Sequence, residues 1–429
     1  MDGVDSDGDG SGDAVLVSEL PQVRLETAAF GMFRTVAVDD FTGDGVVDVA
    51  TWSVVTPEHD GVEEGQQGVH LYVGPFARSA CDVLHTEGLF IDVEGDVVDV
   101  VQAAGDVDGD ESRDLLVSNS ERTTVVSGPI QTDVVLDDGS PLNVWASQMG
   151  EYGAAAAVGD VDADEFADVA QSAFSYEHGS YIYLLFGQPL MNFVDRSPSW
   201  VEPDASVLFG FNLSGVGDMS GDGIPDIAAG AASGIWGETG FPTYVFTSVP
   251  DAPTHPRDDS VVIVSEYGEG DVAAMYEPAG DVNGDGYGDM AIVGSGWTGV
   301  TVFFGPLRDD GSPIAWESAN ALFWFGYPMA VEARGDVDGD GFDDLALAST
   351  LGSLQSCPEG SCDPDCEPGL VHLVAGPQEG VVEPADMIQG YGSYGGFGSS
   401  MGGKNDLDGD GHKDLVVAGD DWVYVLFGL

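Results

Sequence analysis

Seven times along this chain an acidic nonapeptide returns. It reads DFTGDGVVD over Asp40 to Asp48, DVDGDESRD over Asp106 to Asp114, DVDADEFAD over Asp160 to Asp168 and DMSGDGIPD over Asp218 to Asp226. It returns as DVNGDGYGD over Asp281 to Asp289, DVDGDGFDD over Asp336 to Asp344 and DLDGDGHKD over Asp406 to Asp414. The copies start 66, 54, 58, 63, 55 and 70 residues apart. Such a period holds one supersecondary unit, so the 429 residues read as seven copies of a unit rather than the two or three domains that length alone suggests.

The same order recurs within each unit: a run of small and apolar residues, the acidic loop, a second apolar run, and a third that ends in Gly-Pro or a variant. In the fifth unit Val272 to Ala279 enters the loop, Met290 to Val293 leaves it, and Val300 to Phe304 closes with Gly305-Pro306. Second runs such as Leu345 to Ala348 have strand length and are too short for a helix. Third runs such as Tyr181 to Phe186 and Trp422 to Phe427 are rich in β-branched and aromatic residues. The pattern predicts an all-β chain, a seven-bladed β-propeller of four-stranded blades with the acidic loop between the first and second strand of each. Each blade depends on its neighbours to bury its faces. After the seventh loop only two strands remain, and one spare strand-like segment lies within Ala14 to Glu26. That N-terminal segment is expected to join the last blade and close the ring, removing two exposed edges. Residues 1–13 read as an acidic linker and 14–429 as a single propeller. Asp5 to Asp13 forms an eighth, partial copy of the loop, read as linker or as a remnant of an upstream module.

Charge narrows the partners. The net charge of −65 comes from 76 Asp and Glu against 11 Lys and Arg, leaving no basic surface for phosphate, so nucleic acid is not expected as a partner and anionic membrane is a poor candidate. No apolar run is long enough to span a bilayer, and direct membrane insertion is not expected. The 43% hydrophobic content supplies a large core, which a disordered acidic tail lacks. Residues 1–12 are rich in Asp and Gly and do not read as a secretory signal.

The loops carry the specific chemistry. Hard divalent cations take six to eight oxygen ligands, and carboxylates at alternate positions of a tight loop converge on one ion. In the fullest copy Asp336, Asp338 and Asp340 hold positions one, three and five, the carbonyl of residue 342 serves position seven, and Asp344 closes at nine. The equivalent ligand sets are Asp106, Asp108, Asp110 and Asp114; Asp160, Asp162, Asp164 and Asp168; and Asp406, Asp408, Asp410 and Asp414. Asn283 takes the third position beside Asp281, Asp285 and Asp289. Thr42 does so beside Asp40, Asp44 and Asp48, and Ser220 beside Asp218, Asp222 and Asp226. These two sets are expected to bind more weakly. Glu111, Glu165 and Ala163 replace turn glycines, which leaves the geometry of the loops at Asp106 and Asp160 open. The closing acid at nine, followed by a strand, separates the loop from an EF-hand. Up to seven Ca²⁺ ions, one per blade, are expected, and most of the negative charge would remain.

With Phe209-Gly210, Tyr391-Gly392 and Phe397-Gly398 before first strands, and Asp-Leu-Ala-type strands after the loops, the chain resembles FG-GAP repeats. Those build the propeller at the head of integrin α subunits and many bacterial surface proteins. The resemblance implies that the ion loops share the lower face and that ligands meet the upper face. There it places Trp52, Tyr152, Tyr176, Trp236, Phe241, Trp297, Trp324, Tyr327, Tyr391, Tyr394 and Trp422, either for a protein or carbohydrate ligand or as packing between blades. It implies a calcium-binding, non-catalytic recognition or adhesion module, extracellular or at the cell surface, and is compatible with a place within a longer multidomain protein. The alternatives are a polysaccharide lyase or hydrolase, and a structural head.

Little points to catalysis. His70 and His372 occupy matching Val-His-Leu strand contexts, and the remaining histidines lack a paired nucleophile. Gly390 to Gly395 matches GxGxxG, but no helix follows it. Cys357, Cys362 and Cys366 share one loop and Cys81 stands apart, spacings that favour a disulfide over zinc without fixing the pair.

Overall fold

The computed structural model describes residues 15–16, 22–26, 36–54, 67–76, 84–85, 88–93, 98–119, 122–136, 145–146, 153–175, 179–189, 198–204, 207–233, 242–258, 260–264, 273–294, 299–308, 311–323, 327–350, 369–376, 380–382, 386–389, 397–403, 405–419 and 422–427. These residues form seven sheets and contain no α-helix. We number blades and loops in chain order from the loop at Asp40. Blade one is Val36–Asp39, Asp48–Val54, Gln67–Tyr72 and Gly88–Val93, each antiparallel to the next. In every blade the acidic loop joins the first strand to the second, as the repeat predicts.

Blade seven closes the ring. Met401–Gly402, Leu415–Ala418 and Trp422–Leu426 supply three strands, and Gln22–Glu26 pairs antiparallel with Trp422–Leu426 as the fourth. The spare segment is therefore a latch, and Leu25 within it is 0% exposed.

Seven apolar clusters lie among the described residues, one at each junction between neighbouring blades. The closing junction joins Leu25, Leu407 and Val416 of blade seven to Val49, Tyr72 and Phe76 of blade one. This layout explains the unbroken apolar second strands. Leu345 and Leu347 face blade five while Ala346 and Ala348 face blade seven, so both faces of the strand are buried. First strands from all seven blades surround a central cavity of about 380 Å³, lined by Val38, Ala103, Ala157, Gly215, Pro278, Val331 and Gly402.

One feature exceeds the four-strand expectation. The connection from third to fourth strand adds a short parallel strand to the outer edge of the preceding blade. Val134–Leu136 of blade two pairs with Gly88–Val93, Ile314–Ala315 of blade five with Val261–Val264, and Gly380–Val382 of blade six with Ala321–Phe323. Val15–Leu16 does the same on blade six, and Leu84–His85 on the latch strand itself. Edges that would stay open are thereby covered by the next blade.

Candidate metal centres

Each loop is wound around its first aspartate. In loop two, Asp106 Oδ1 accepts from the amides of Gly109 (2.6 Å) and Asp110 (3.1 Å), and Oδ2 from that of Glu111 (2.9 Å). Asp110 Oδ1 accepts from the Ser112 amide at 2.8 Å, and the Ser127 hydroxyl donates to Asp108 Oδ2 at 2.8 Å. The same position-one pattern recurs at Asp40, Asp218, Asp281 and Asp406. These carboxylate-to-amide bonds make a tight turn with a short polar side chain at its hub.

The missing glycines do not change the path. Glu111, Ala163 and Glu165 take φ of 70°, 60° and 79°, in the left-handed region where other copies place glycine. Asp160 still accepts from the amides of Asp164 and Glu165, both at 2.9 Å. Loops two and three thus keep the common shape and carry the backbone strain of a side chain there.

Position nine is a staple as well as a candidate ligand. Asp114 Oδ2 accepts from the Val107 amide (2.8 Å) and Oδ1 from the Gly128 amide at the end of the third strand (2.8 Å). Asp168 is held likewise by Val161 and Gly187, Asp289 by Val282 and Gly305, and Asp344 by Val337 and Gly376. Asp114, Asp168 and Asp289 are 0% exposed. Burial raises their pKa against the lowering by those amides, and neighbouring loop aspartates raise it further: Asp114 to about 6, Asp168 and Asp289 to about 7. Burial raises Asp48 and Asp344 as well. Groups in this condition favour a proton or a cation over an uncompensated charge.

The donor set fits a hard cation. In loops two, three, six and seven, three carboxylates each offer an oxygen, and these oxygens lie within 4.8 Å of one another: Asp106, Asp108 and Asp114; Asp160, Asp162 and Asp164; Asp336, Asp338 and Asp344; Asp406, Asp408 and Asp414. These are the four loops with aspartate at position three. In loop five the Asn283 amide donates to Asp285 Oδ2 at 3.1 Å. In loop four Ser220 Oγ donates to Asp218 Oδ1 at 3.3 Å. Loops one and four hold orphaned oxygen atoms. Thr42 Oγ1, close to Asp48 but outside bonding geometry, is buried without a hydrogen bond. Both oxygens of Asp226 are buried without a hydrogen bond of good geometry; burial raises its pKa to about 7, although the nearby amides of Met219 and Ser220 lower it.

Sequence reading missed a cation among these acids. Arg334, two residues before loop six, is 3% exposed, and its Nε and Nη2 make no hydrogen bond. Blades two to five place Ala104, Val158, Val216 and Ala279 at this point. Burial lowers the Arg334 pKa, and the charges of Asp344 and Asp414 act in the opposite sense. A basic residue inside an apolar register is the only sequence signal for it.

The upper-face expectation needs one correction. Trp52 lies in the second strand of blade one, 6% exposed within the core between blades one and two, because that strand is covered on both faces. Among the described residues the exposed large aromatics are Phe211, directly after Phe209-Gly210, at 47% and Tyr287 of loop five at 38%, and neither was named in that expectation. Phe209 itself is fully buried. Tyr327 and Trp422 fall in strands, with their side chains outside the description; the other aromatics named, the four cysteines, Asp5 to Asp13 and Gly390 to Gly395 lie outside the described residues.

The histidines sit where the repeat puts them, on third strands. His70 is 7% exposed and stacks on Tyr72 with ring centroids 4.0 Å apart. His372 Nε2 lies 3.2 Å from Ser349 Oγ, and burial lowers its pKa to about 4. With His372 at 4% and Ser349 at 1% exposure, the pair has no access to substrate.

No family model matches the chain. Integrin alpha pat-2 of Caenorhabditis elegans is 27% identical over 260 residues, covering 54% of this chain and 20% of that protein. Integrin alpha-V of Gallus gallus is 26% identical over 237 residues, covering 47% of this chain and 19% of that protein. The matched region thus spans about a fifth of these relatives. Among solved structures, a crystal structure of BBS1N in complex with ARL6DN, soaked with lead, aligns over 95% of this chain and 97% of that one at 9% identity and a TM-score of 0.45. One soaked with mercury aligns at a TM-score of 0.42, with 9% identity and 93% of each chain covered. The closed ring of seven blades, the recurrent loop and the integrin relatives support a propeller similar to the FG-GAP propeller at the N-terminus of integrin α subunits.

Proposed function

We propose that the chain is a calcium-dependent, non-catalytic recognition module of the extracellular space or cell surface. The observation that carries this is the repetition of one oxygen-lined loop in all seven blades, four of them already gathering three carboxylate oxygens within 4.8 Å. Positions one, three, five and nine and the carbonyl of position seven would hold the ion, with Thr42, Asn283 and Ser220 as the neutral third ligands. Calcium would supply the charge that buried Asp114, Asp168, Asp226 and Asp289 lack. The loops brace the junctions between blades, so the ion acts on the shape of the ring, and the opposite face is left to meet a protein or carbohydrate ligand. Integrin relatives support the adhesion reading.

Thermal melting with and without a chelator, together with calorimetry, tests this. Ligand that binds only the folded form stabilises by about 2.7 kcal/mol per site at a hundredfold excess over its Kd. Several sites should therefore raise Tm by many degrees. An unchanged Tm would refute calcium dependence, and fewer than four tight sites would show that the repeat has been over-read. A glycan array and pull-down against surface proteins then read the ligand: retention without cleavage supports recognition, whereas cleavage would overturn the non-catalytic assignment.

A further inference from the structure

At three of the seven blade junctions neighbouring loops are joined through the backbone. The amide of position eight donates to the position-one carbonyl of the preceding loop: Ala167 to Asp106 (2.8 Å), Gly288 to Asp218 (3.0 Å) and Asp343 to Asp281 (3.0 Å). The ring at position seven covers the position-four glycine of that same preceding loop. A Cβ on Gly109 would collide with Phe166, on Gly221 with Tyr287, and on Gly284 with Phe342. Between loops five and six there is a further bond, from the Asp281 amide to Asp343 Oδ2 at 2.9 Å.

A trans peptide unit is planar, with its C=O opposed to its N–H. The carbonyls of Phe166, Tyr287 and Phe342 therefore point away from the preceding loop, and position seven is the carbonyl ligand proposed for their own. One amide is thus shared by two loops. Its other contact is the backbone of a position-one aspartate, the hub that orders the preceding loop. The link is present at three of the seven junctions: between loops three and four position eight is Pro225, which has no N–H to donate, and at the junctions involving loops one and seven the position-eight amides of Val47, Arg113 and Lys413 make no such bond.

Resting on the calcium reading above, we propose that the ion sites are coupled in runs, loop two with three and loops four, five and six together, with a break between three and four. Filling one loop fixes the shared amide and with it the hub of the loop before it, so occupancy of one site favours its neighbour. Direct repulsion between two cations has the opposite sign. By linkage the effect is mutual.

Peptide-resolved hydrogen exchange during a calcium titration tests the coupling, with calcium itself as the probe and amide protection in each loop as the readout. In Asp285→Ala, which disables loop five, the calcium midpoint for protecting residues 218–226 should rise about fivefold or more. Asp222→Ala should raise the loop-five midpoint equally and leave that of loop three, residues 160–168, unmoved. Adding Pro225→Ala restores a donor, so Asp222→Ala should then shift loop three as well. Far-ultraviolet circular dichroism confirms that each variant is folded, and the Pro225→Ala gain gives a second reading if a loss variant is not. Unmoved midpoints in loops four and five, or a loop-three shift as large as theirs with Pro225 intact, would overturn the coupling while leaving calcium binding standing. Absence of calcium-dependent protection in every loop would overturn the calcium reading itself.

Discussion

Stripping the metal and raising the pH should destabilise the ring, because four position-nine carboxyls are forced into the fold as poor anions. Their native pKa lies above the ordinary 3.8, at about 6 for Asp114 and about 7 for Asp168, Asp226 and Asp289. The folded state then binds more protons than the unfolded state between pH 4 and pH 7, so unfolding free energy falls as pH rises through that window. At 1.36 kcal/mol per unit each group contributes about 3–4 kcal/mol. The carboxyls are at most 1% exposed, but the loops open to solvent on one side, so roughly half of this is retained. Together the four make the metal-free protein less stable at pH 8 than at pH 4 by on the order of 7 kcal/mol. For a chain of this size that is about 8 °C in Tm. Calorimetric melting of decalcified protein across this range, in 0.5 M salt to screen surface repulsion, reads the effect. With calcium present the dependence should vanish or reverse, since the ion favours the ionised carboxylate. A metal-free Tm that climbs from pH 4 to pH 8 would refute the reasoning, because it requires these carboxyls to be comfortable anions in the empty loops.

Three substitutions probe the fold that carries the loops. Leu25→Ala should cost about 2–5 kcal/mol by opening a cavity at the closing junction, and deleting residues 14–26 should cost far more than one strand's contacts, both read by calorimetric melting. Gly305→Ala places a Cβ 2.5 Å from the Gly288 carbonyl and pushes its amide away from Asp289, costing about 1–3 kcal/mol; an unchanged Tm would show that this amide is dispensable. Ser248→Gly should stabilise blade four by removing the Cβ at the place where the other blades have glycine, so that the existing amide can approach buried Asp226; the bond gains about 1.5–3 kcal/mol against roughly 0.5–1 for glycine's backbone entropy, and a lower Tm would reject it.

The ring was legible because its signals are local. Asp106 and its equivalents bind amides three to five residues ahead, so the turn is encoded within the nonapeptide that also betrays the repeat. Strand runs followed from apolar stretches buried on both faces, and the latch from counting strands in the seventh unit. The parallel edge strands were not legible. Ile314–Ala315 and Val134–Leu136 are two and three residues long, too short for a period, and their partners lie 51 and 43 residues earlier in another blade. Trp52 was misplaced for a related reason: aromatic character marks a residue worth burying as readily as one worth presenting, and only the neighbouring blade decides.

Position nine was half legible. An aspartate at a fixed place after three others reads as a ligand, and nothing within the loop reveals that its oxygens also hold backbone amides. The partner is the glycine ending the third strand, 14 residues further on at Asp114 and 32 at Asp344. The signal was present in the Gly-Pro endings, which read only as strand terminators. Gly74, Gly128, Gly187, Gly305 and Gly376 each donate to a position-nine aspartate, and a Cβ at any of them would meet backbone or side-chain atoms of the loop. Blade four supplies the contrast, since its third strand ends Phe246-Thr247-Ser248 and its Asp226 is the one whose oxygens find no donor. The glycine and the aspartate therefore form one device: the amide that fastens the third strand to the loop also helps keep a buried carboxyl ionisable, so that strand pairing and affinity for a cation rest on the same bond.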